Sequence, residues 1–158
     1  MAYGAEVRET IRNGCVTTAA SVALIGAFAP WLRSGDTRRS SFELFELVDR
    51  LGFAPDGVFA ELLRLWPIVP LAVITSVVAA WSAKTRIAGA IGIFSGLYVA
   101  LVAVGIMQAP RAGLIHTAWG VPVALVGGVL LATTGVWLLA AGSGGVDPDA
   151  SLRVDAPQ

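Results

Sequence analysis

Four long stretches of this chain contain no charged residue, and they limit the folds that it can adopt. A helix needs about 20 mostly apolar residues to cross the hydrocarbon core of a bilayer. The sequence therefore predicts an all-α membrane protein, a four-transmembrane-helix bundle with a short amphipathic helix in its first loop. The bundle forms one domain, residues 1–142, and its predicted spans are about 13–32, 65–83, 87–109 and 117–141.

The composition agrees with a membrane location. Of the 158 residues, 56% are hydrophobic and only 14% are charged, whereas soluble domains average about 25% charged residues. The formal net charge is zero, and binding to nucleic acid requires a surplus of basic residues. We therefore expect membrane lipids as partners and no nucleic acid.

The first stretch has a second interpretation, a secretory signal, because Arg8 and Arg12 precede it as a signal's basic region would. The apolar region of a signal has about 7–15 residues, and this run has 20. It ends in the bulky, proline-containing sequence FAPWL, a poor cleavage site. We interpret it as a retained membrane anchor.

All five tryptophans lie near the ends of predicted spans. Tryptophan favours the headgroup level, where its ring is partly in lipid and its N–H meets water. We therefore expect these side chains at the two membrane surfaces. The residues are Trp31, Trp66, Trp81, Trp119 and Trp137.

Small residues recur every four positions in the third and fourth spans. Helices in lipid associate through close packing of small residues, so spans three and four are predicted to pack together. A chain rich in Ala and Gly also produces such series by chance, and a partner helix could use them instead. The proposed packing residues are Gly92, Gly96, Gly120 and Gly128.

Orientation is only weakly determined by charge. Cytoplasmic loops tend to carry Arg and Lys, but with a cytoplasmic N-terminus five of the 11 basic residues lie inside and six outside. The short turn that contains Lys84 and Arg86 is basic and has no acidic residue. This turn is therefore expected in the cytoplasm. The sequence then predicts a multi-pass plasma-membrane protein with both termini in the cytoplasm.

The loop of residues 33–64 is the longest hydrophilic segment between spans. Ser40 and Glu43 have the spacing of a capping box, in which each side chain bonds to the backbone N–H of the other residue. Apolar residues then recur at helical spacing to Leu51, before Gly52. We expect an amphipathic helix over 42–51, a second helix from about residue 56, and a disordered tail over 143–158.

Arginine and aromatic side chains cluster where this loop leaves the first span. An arginine at the interface can bind a phosphate or carboxylate through two parallel hydrogen bonds. The alternative is that these arginines pair with acids of the same loop. The candidate contacts to a partner or a lipid headgroup are Trp31, Arg33, Arg38, Arg39, Phe42 and Phe45.

The sequence PWLRSG at residues 30–35, followed by RSSFEL at 39–44, resembles a recurring pattern in small four-span membrane proteins of actinobacteria, which are uncharacterised. The resemblance covers the first loop and otherwise only the four apolar spans. It implies a membrane fold and a bacterial source, and it transfers no activity or site. The architecture is also loosely similar to claudin-like proteins, although their cysteine pair is absent because Cys15 is the only cysteine.

The interiors of the predicted spans contain no Asp, Glu, Lys or Arg. Ionisable residues at this depth mark proton relays, transport paths and voltage sensors, so these mechanisms are disfavoured. His116 is the only histidine and has no acid or nucleophile near it in sequence. We predict a non-enzymatic protein with no catalytic, cofactor-binding or metal-binding residues.

Two functions remain open at this point. The first is an accessory or assembly subunit of a cell-envelope membrane complex, with a membrane-protein partner or self-association, because of the small-residue stripes and the shaped first loop. The second is a protein that binds or transports a lipid or an apolar small molecule in a cavity beneath that loop.

Overall fold

The computed structural model describes residues 2–34, 37–43, 46, 63–108 and 115–142. Within them the chain is mostly helical and has a small sheet at one end of the helices. Phe45, most of the two predicted loop helices and the predicted tail lie outside the described residues.

The first helix, α1, extends over Ala2–Phe28. Its apolar part, Glu6–Phe28, has 23 residues and a mean hydropathy of 1.3. Pro30 follows and cannot continue a helix, because its ring fixes φ and it has no backbone N–H. The helix therefore ends before residue 32, the predicted end of the first span, and the chain continues as a strand.

Three short strands form the sheet: β1 (Pro30–Ser34), β2 (Thr37–Ser40) and β3 (Ile115–Thr117), in the order β2-β1-β3. Both pairings are antiparallel. The sheet corrects the expectation of an all-α protein. Strands of three to five residues are too short to produce a clear alternating pattern, and β3 is distant in sequence from its partner β1.

Helix α2, Val69–Trp81, has 13 residues and follows one turn of 3-10 helix, Trp66–Ile68. Pro67 and Pro70 fall in the first turns, where a missing N–H costs little. The two helical pieces together are roughly 25 Å long, and the hydrocarbon core is about 30 Å thick. This apolar segment is thus shorter than the other three helices.

Helices α3, Thr85–Gln108, and α4, Gly120–Gly142, complete the described fold. Their apolar windows have mean hydropathies of 2.2 and 2.1. Among the described residues three helices, α1, α3 and α4, are long and apolar enough to cross a bilayer, which is consistent with a membrane protein. Between α2 and α3, Ala83 has a φ of 58°, in the left-handed region.

The backbones of α3 and α4 approach each other closely at paired glycines. A methyl group added to Gly96 would lie 2.5 Å from the carbonyl oxygen of Gly128, and one added to Gly128 would lie 2.7 Å from that of Gly96. Two turns away, a methyl group on Gly89 would lie 2.8 Å from the carbonyl oxygen of Gly135. These two helices therefore pack backbone against backbone.

Helix α4 packs against α1 through other small residues. Methyl groups added to Gly26 of α1 or Gly127 of α4 would overlap the backbone of the opposite helix. Gly120 faces the sheet, since a methyl group there would lie 2.5 Å from the carbonyl oxygen of Pro30. The small-residue stripe of the fourth span thus meets several neighbours, because positions four apart drift around a helix with 3.6 residues per turn.

Polar contacts attach α2 to its neighbours. The Ser76 hydroxyl donates to the carbonyl oxygen of Ala88 in α3 at 2.9 Å, and Gly92 lies against the same hydroxyl. The indole N–H of Trp81 donates to Thr17 Oγ1 in α1 at 3.2 Å. The Ser76 hydroxyl is buried, and its carbonyl partner keeps it satisfied in an apolar environment.

Candidate functional site

An aromatic cluster fills the bundle beneath the sheet. Trp31 and Trp66 meet edge to face, with ring centroids 5.0 Å apart and planes at 71°. Phe42 stacks on Phe28 at 4.9 Å, and Tyr98 of α3 lies 6.0 Å from Trp66. Aromatic pairs in these geometries add to the stability gained from burial alone. The cluster therefore packs the sheet end of the chain against the helices.

The hydroxyl of Ser41 connects two buried segments within this cluster. Ser41 Oγ donates to the carbonyl oxygen of Ala27 at the end of α1. It also accepts the indole N–H of Trp66 at 3.0 Å, while the indole N–H of Trp31 donates to the carbonyl oxygen of Gly26 at 2.8 Å. Each indole N–H thus has a buried acceptor, as an N–H removed from water requires.

The tryptophans divide into two groups. Trp31 and Trp66 are 0% and 1% exposed, so their rings pack inside the protein and their N–H groups do not meet water, contrary to the expectation for a tryptophan at the membrane surface. Trp81, Trp119 and Trp137 are 63%, 53% and 46% exposed. Only the second group can present an indole ring to lipid.

The predicted capping box is present where the first loop turns back toward the bundle. The backbone N–H of Ser40 donates to Glu43 Oε2 at 2.9 Å, and that of Glu43 donates to Ser40 Oγ at 3.4 Å. Residues 41–43 are helical. This confirms the predicted helix start, and the turn directs Ser41 into the aromatic cluster.

Arg38, Arg33 and His116 form a row across the three strands, which we call the cationic row after its two arginines. Arg33 pairs with Arg38 in β2 and with His116 in β3. Residues directly opposite each other in an antiparallel sheet project to the same face. All three side chains are exposed. One face of the sheet therefore carries two guanidinium groups and an imidazole side by side.

A cavity of about 380 Å³ lies beside the cationic row. Its described lining includes no carboxylate and consists of Arg33, Arg38, His116, Thr117, Ala118 and Trp119. Helix α4 begins at Gly120, immediately after these residues, so the positive end of its dipole lies at the cavity. The charged side chains of the described lining are thus Arg33 and Arg38, which favour an anion.

The structure separates the three arginines that the sequence analysis grouped together. Arg33 and Arg38 line the cavity. Arg39 pairs with Leu32 and is one residue from Arg38, so it projects to the other face of the sheet. It is exposed and is not among the described residues of the lining.

The three aromatic candidates have different positions. Trp31 is buried and Phe42 is half-buried in the aromatic cluster, and Phe45 is outside the described residues. Trp31 and Phe42 therefore contribute to the packing beneath the sheet, and their rings contact other rings of the bundle.

His116 and Trp119 line the cavity but are not among the site residues predicted from the sequence. The β-branched neighbours Ile115 and Thr117 are a weak strand signal around His116. The partner strand β1, however, lies before α2 and α3 in the chain, and only the tertiary fold brings His116 beside Arg33.

Apolar grooves lie on the outside of the described helices. A groove of about 230 Å³ runs between α1 and α4 and is lined by Val22, Pro122, Val123 and Val126. A larger one, of about 360 Å³, lies between α2 and α3 and includes Phe94, which is 77% exposed.

In the part of the chain that the structure describes, no group of three His, Cys, Asp or Glu side chains is placed to hold a metal ion. Comparison of the chain with protein-family models, with curated proteins and with solved structures found no match.

Proposed function

We propose that this chain is a multi-pass integral membrane protein whose sheet end binds the phosphate headgroup of a membrane lipid. The observation that carries the proposal is the cationic row beside its 380 Å³ cavity. A guanidinium group is planar and matches two phosphate oxygens with parallel hydrogen bonds. Two such groups converge here with an imidazole and the amino end of a long helix.

The depth of the cationic row supports a lipid as the source of the phosphate. Trp119 and Trp137 are both about half exposed and are 18 positions apart along α4. This separation is about 27 Å along a helix, close to the ~30 Å of a hydrocarbon core. The strands lie beyond Trp119, on the side away from Trp137, which is the level of lipid phosphates.

We further propose that α2 also crosses, giving four crossings in all. The segment is shorter than the hydrocarbon thickness, and bilayers thin locally around short spans at a modest cost. Four crossings leave both termini on one side, with Lys84 and Arg86. The basic turn that contains these residues favours the cytoplasm for that side, and the sheet then lies on the outer face.

Retention of lipid by purified variants tests the proposed function. Native mass spectrometry compares the parent with Arg33→Gln/Arg38→Gln, and Arg39→Gln is the matched control because its side chain lies on the other face of the sheet. We expect the double variant to lose bound anionic lipid and Arg39→Gln to keep it. Equal retention by all three proteins contradicts the proposal.

An accessory or assembly subunit is a second candidate, and the groove between α2 and α3 favours it. Phe94 projects from this groove with 77% of its surface exposed, at a depth where a partner's transmembrane helix would pack. Crosslinking through Phe94→Cys, in a chain whose own cysteine is replaced, is expected to yield a higher-mass adduct in native membranes. A chain that remains monomeric throughout would count against this candidate.

A further inference from the structure

We infer that the groove between α1 and α4 binds one acyl chain of the lipid whose headgroup occupies the cavity. The inference rests on the proposed function, because it extends the same site from the phosphate to the chain. The groove has a volume of about 230 Å³, and its described lining is Val22, Pro122, Val123 and Val126. Its position, its stiff walls and its length each favour an acyl chain as the occupant.

The groove and the cavity share one face of α4. Trp119 lines the cavity, and Pro122 and Val126 line the groove. Positions 119, 122 and 126 lie on the same face, because residues three, four and seven apart lie above one another on a helix. A chain that leaves a headgroup in the cavity toward the hydrocarbon core therefore passes the ring of Trp119 and meets the groove.

The backbone at the upper end of the groove offers no hydrogen-bond donor to a ligand. Pro122 has no backbone N–H. The N–H of Val123 donates to the carbonyl oxygen of Trp119 at 3.3 Å, and that of Val121 donates to the carbonyl oxygen of Ala118 at 3.4 Å. The N–H groups of residues 121–123 are therefore absent or already bonded, which suits a hydrocarbon chain and not a polar group.

The walls of the groove are stiff. Three of its described side chains are valines, whose β-branch largely fixes χ1 in a helix, and the fourth is the closed ring of Pro122. The two helices are in backbone contact beside it, since a methyl group added to Gly127 would overlap the backbone of Ala23. A groove that is already formed loses little conformational entropy when it binds a ligand. The groove between α2 and α3 instead includes the exposed ring of Phe94.

The length of the groove fits part of a single chain. Trp119 and Val126 are seven residues apart, about 10 Å along α4, which is roughly a third of the ~30 Å hydrocarbon core. A partner's transmembrane helix is itself about 10–12 Å wide with its side chains, and a groove of about 230 Å³ cannot admit it. The groove therefore holds the segment of an acyl chain that is nearest the headgroup.

Photo-crosslinking with a labelled phosphatidylglycerol tests this inference. The probe carries a diazirine on one acyl chain, close to the carbonyl group, and adducts on the parent protein in bilayers are mapped by mass spectrometry. Leu97 of α3 is the control position, because it is 57% exposed. It lies at nearly the same depth as Val126, since the neighbouring Gly96 packs against Gly128. We expect severalfold more adduct at Val126 than at Leu97.

A variant that fills the groove gives a second measurement. Val126→Phe places a ring in the groove, and Leu97→Phe is the matched control on α3. Val126 is 53% exposed, so its replacement leaves the buried packing unchanged. We expect purified Val126→Phe to retain about fivefold less phosphatidylglycerol than Leu97→Phe in native mass spectrometry, the factor at the lower end of the cost of overpacking.

The outcomes separate this inference from the proposed function. Equal adducts at Val126 and Leu97, with lipid retention that still depends on Arg33 and Arg38, overturn the chain site and leave the headgroup site in place. Adducts that favour Val126 equally in the parent and in Arg33→Gln/Arg38→Gln show that a chain binds without the cavity, which overturns the headgroup site and its link to the groove. Equal adducts at both positions and equal retention by all variants overturn both.

Discussion

At the residue scale, the hydroxyl of Ser41 connects the end of α1 to Trp66 beneath the sheet. Ser41 Oγ donates to Ala27 and accepts from the indole of Trp66, and both Ser41 and Trp66 are almost fully buried. The Ser41→Ala variant leaves the indole N–H buried without an acceptor, which costs about 1–3 kcal/mol. We expect a loss of that size in the free energy of unfolding, measured by chemical denaturation in detergent.

A double variant shows whether the effect comes from the hydrogen bond. Trp66→Phe removes the donor, so the loss in Ser41→Ala/Trp66→Phe should be smaller than the sum of the two single losses. Ser40→Ala is a nearby control that removes the 3.4 Å capping contact of a half-exposed residue. If Ser41→Ala is as stable as the parent, the hydroxyl has no such role.

Residue spacing predicted one part of this arrangement and could not predict the other. The capping box depends on residues three apart, and both of its hydrogen bonds are present. The acceptor for Trp66 is 25 positions away, and no local pattern indicates it. The same limit applies to His116, which lies beside Arg33 only after the helices have packed.

At the element scale, the close approach of α3 and α4 depends on glycines that have no room for a side chain. The Gly96→Ala variant places a methyl group 2.5 Å from the carbonyl oxygen of Gly128, and such overpacking costs about 1–3 kcal/mol. Thermal unfolding in one detergent should show a lower midpoint for this variant than for the parent.

Gly14→Ala is the matched control for that substitution. Gly14 is also helical, and a methyl group there meets nothing within 4 Å. Alanine is about 1 kcal/mol more favourable than glycine in a helix, so this variant should unfold at a higher temperature than the parent. If the unfolding midpoints of both variants move in the same direction, the result would contradict the close packing of α3 on α4.

The long helices and the sheet differ in how far they could be predicted. Charge-free apolar runs indicate α1, α3 and α4. A single segment that crosses a bilayer must satisfy its own backbone N–H and C=O groups, and a helix does so. The hairpin of β1 and β2 also has a local signal, because Gly35-Asp36 between Ser34 and Thr37 is a dipeptide typical of two-residue hairpin turns. The strand β3 could not be predicted, because it has three residues and its partner β1 lies before α2 and α3 in the chain. The cavity was therefore also unpredictable, although two of its arginines were among the candidates.

At the scale of the whole molecule, the four crossings that we propose would put the sheet and the α2–α3 turn on opposite sides of the membrane. Labelling with a membrane-impermeant maleimide tests this in intact cells, using Arg39→Cys and Lys84→Cys in a chain that also carries Cys15→Ala. We expect Arg39→Cys to react from outside and Lys84→Cys to react only after permeabilisation.

The Cys15→Ala chain, which has no cysteine, is treated with the same maleimide as the control. Reaction of both introduced cysteines from the same side would contradict a crossing by α2. Reaction of Lys84→Cys alone in intact cells would keep the four crossings and reverse the orientation.

The proposed headgroup site requires contact between the cationic row and a lipid phosphate. The most direct measurement is solid-state NMR of the protein in lipid bilayers, detecting dipolar coupling between guanidinium carbon-13 of arginine and phosphorus-31 of the lipid. We predict coupling in the parent and in Arg39→Gln, and loss of the corresponding signal in Arg33→Gln/Arg38→Gln. Coupling that is identical in all three proteins, or absent from the parent, would contradict the headgroup site.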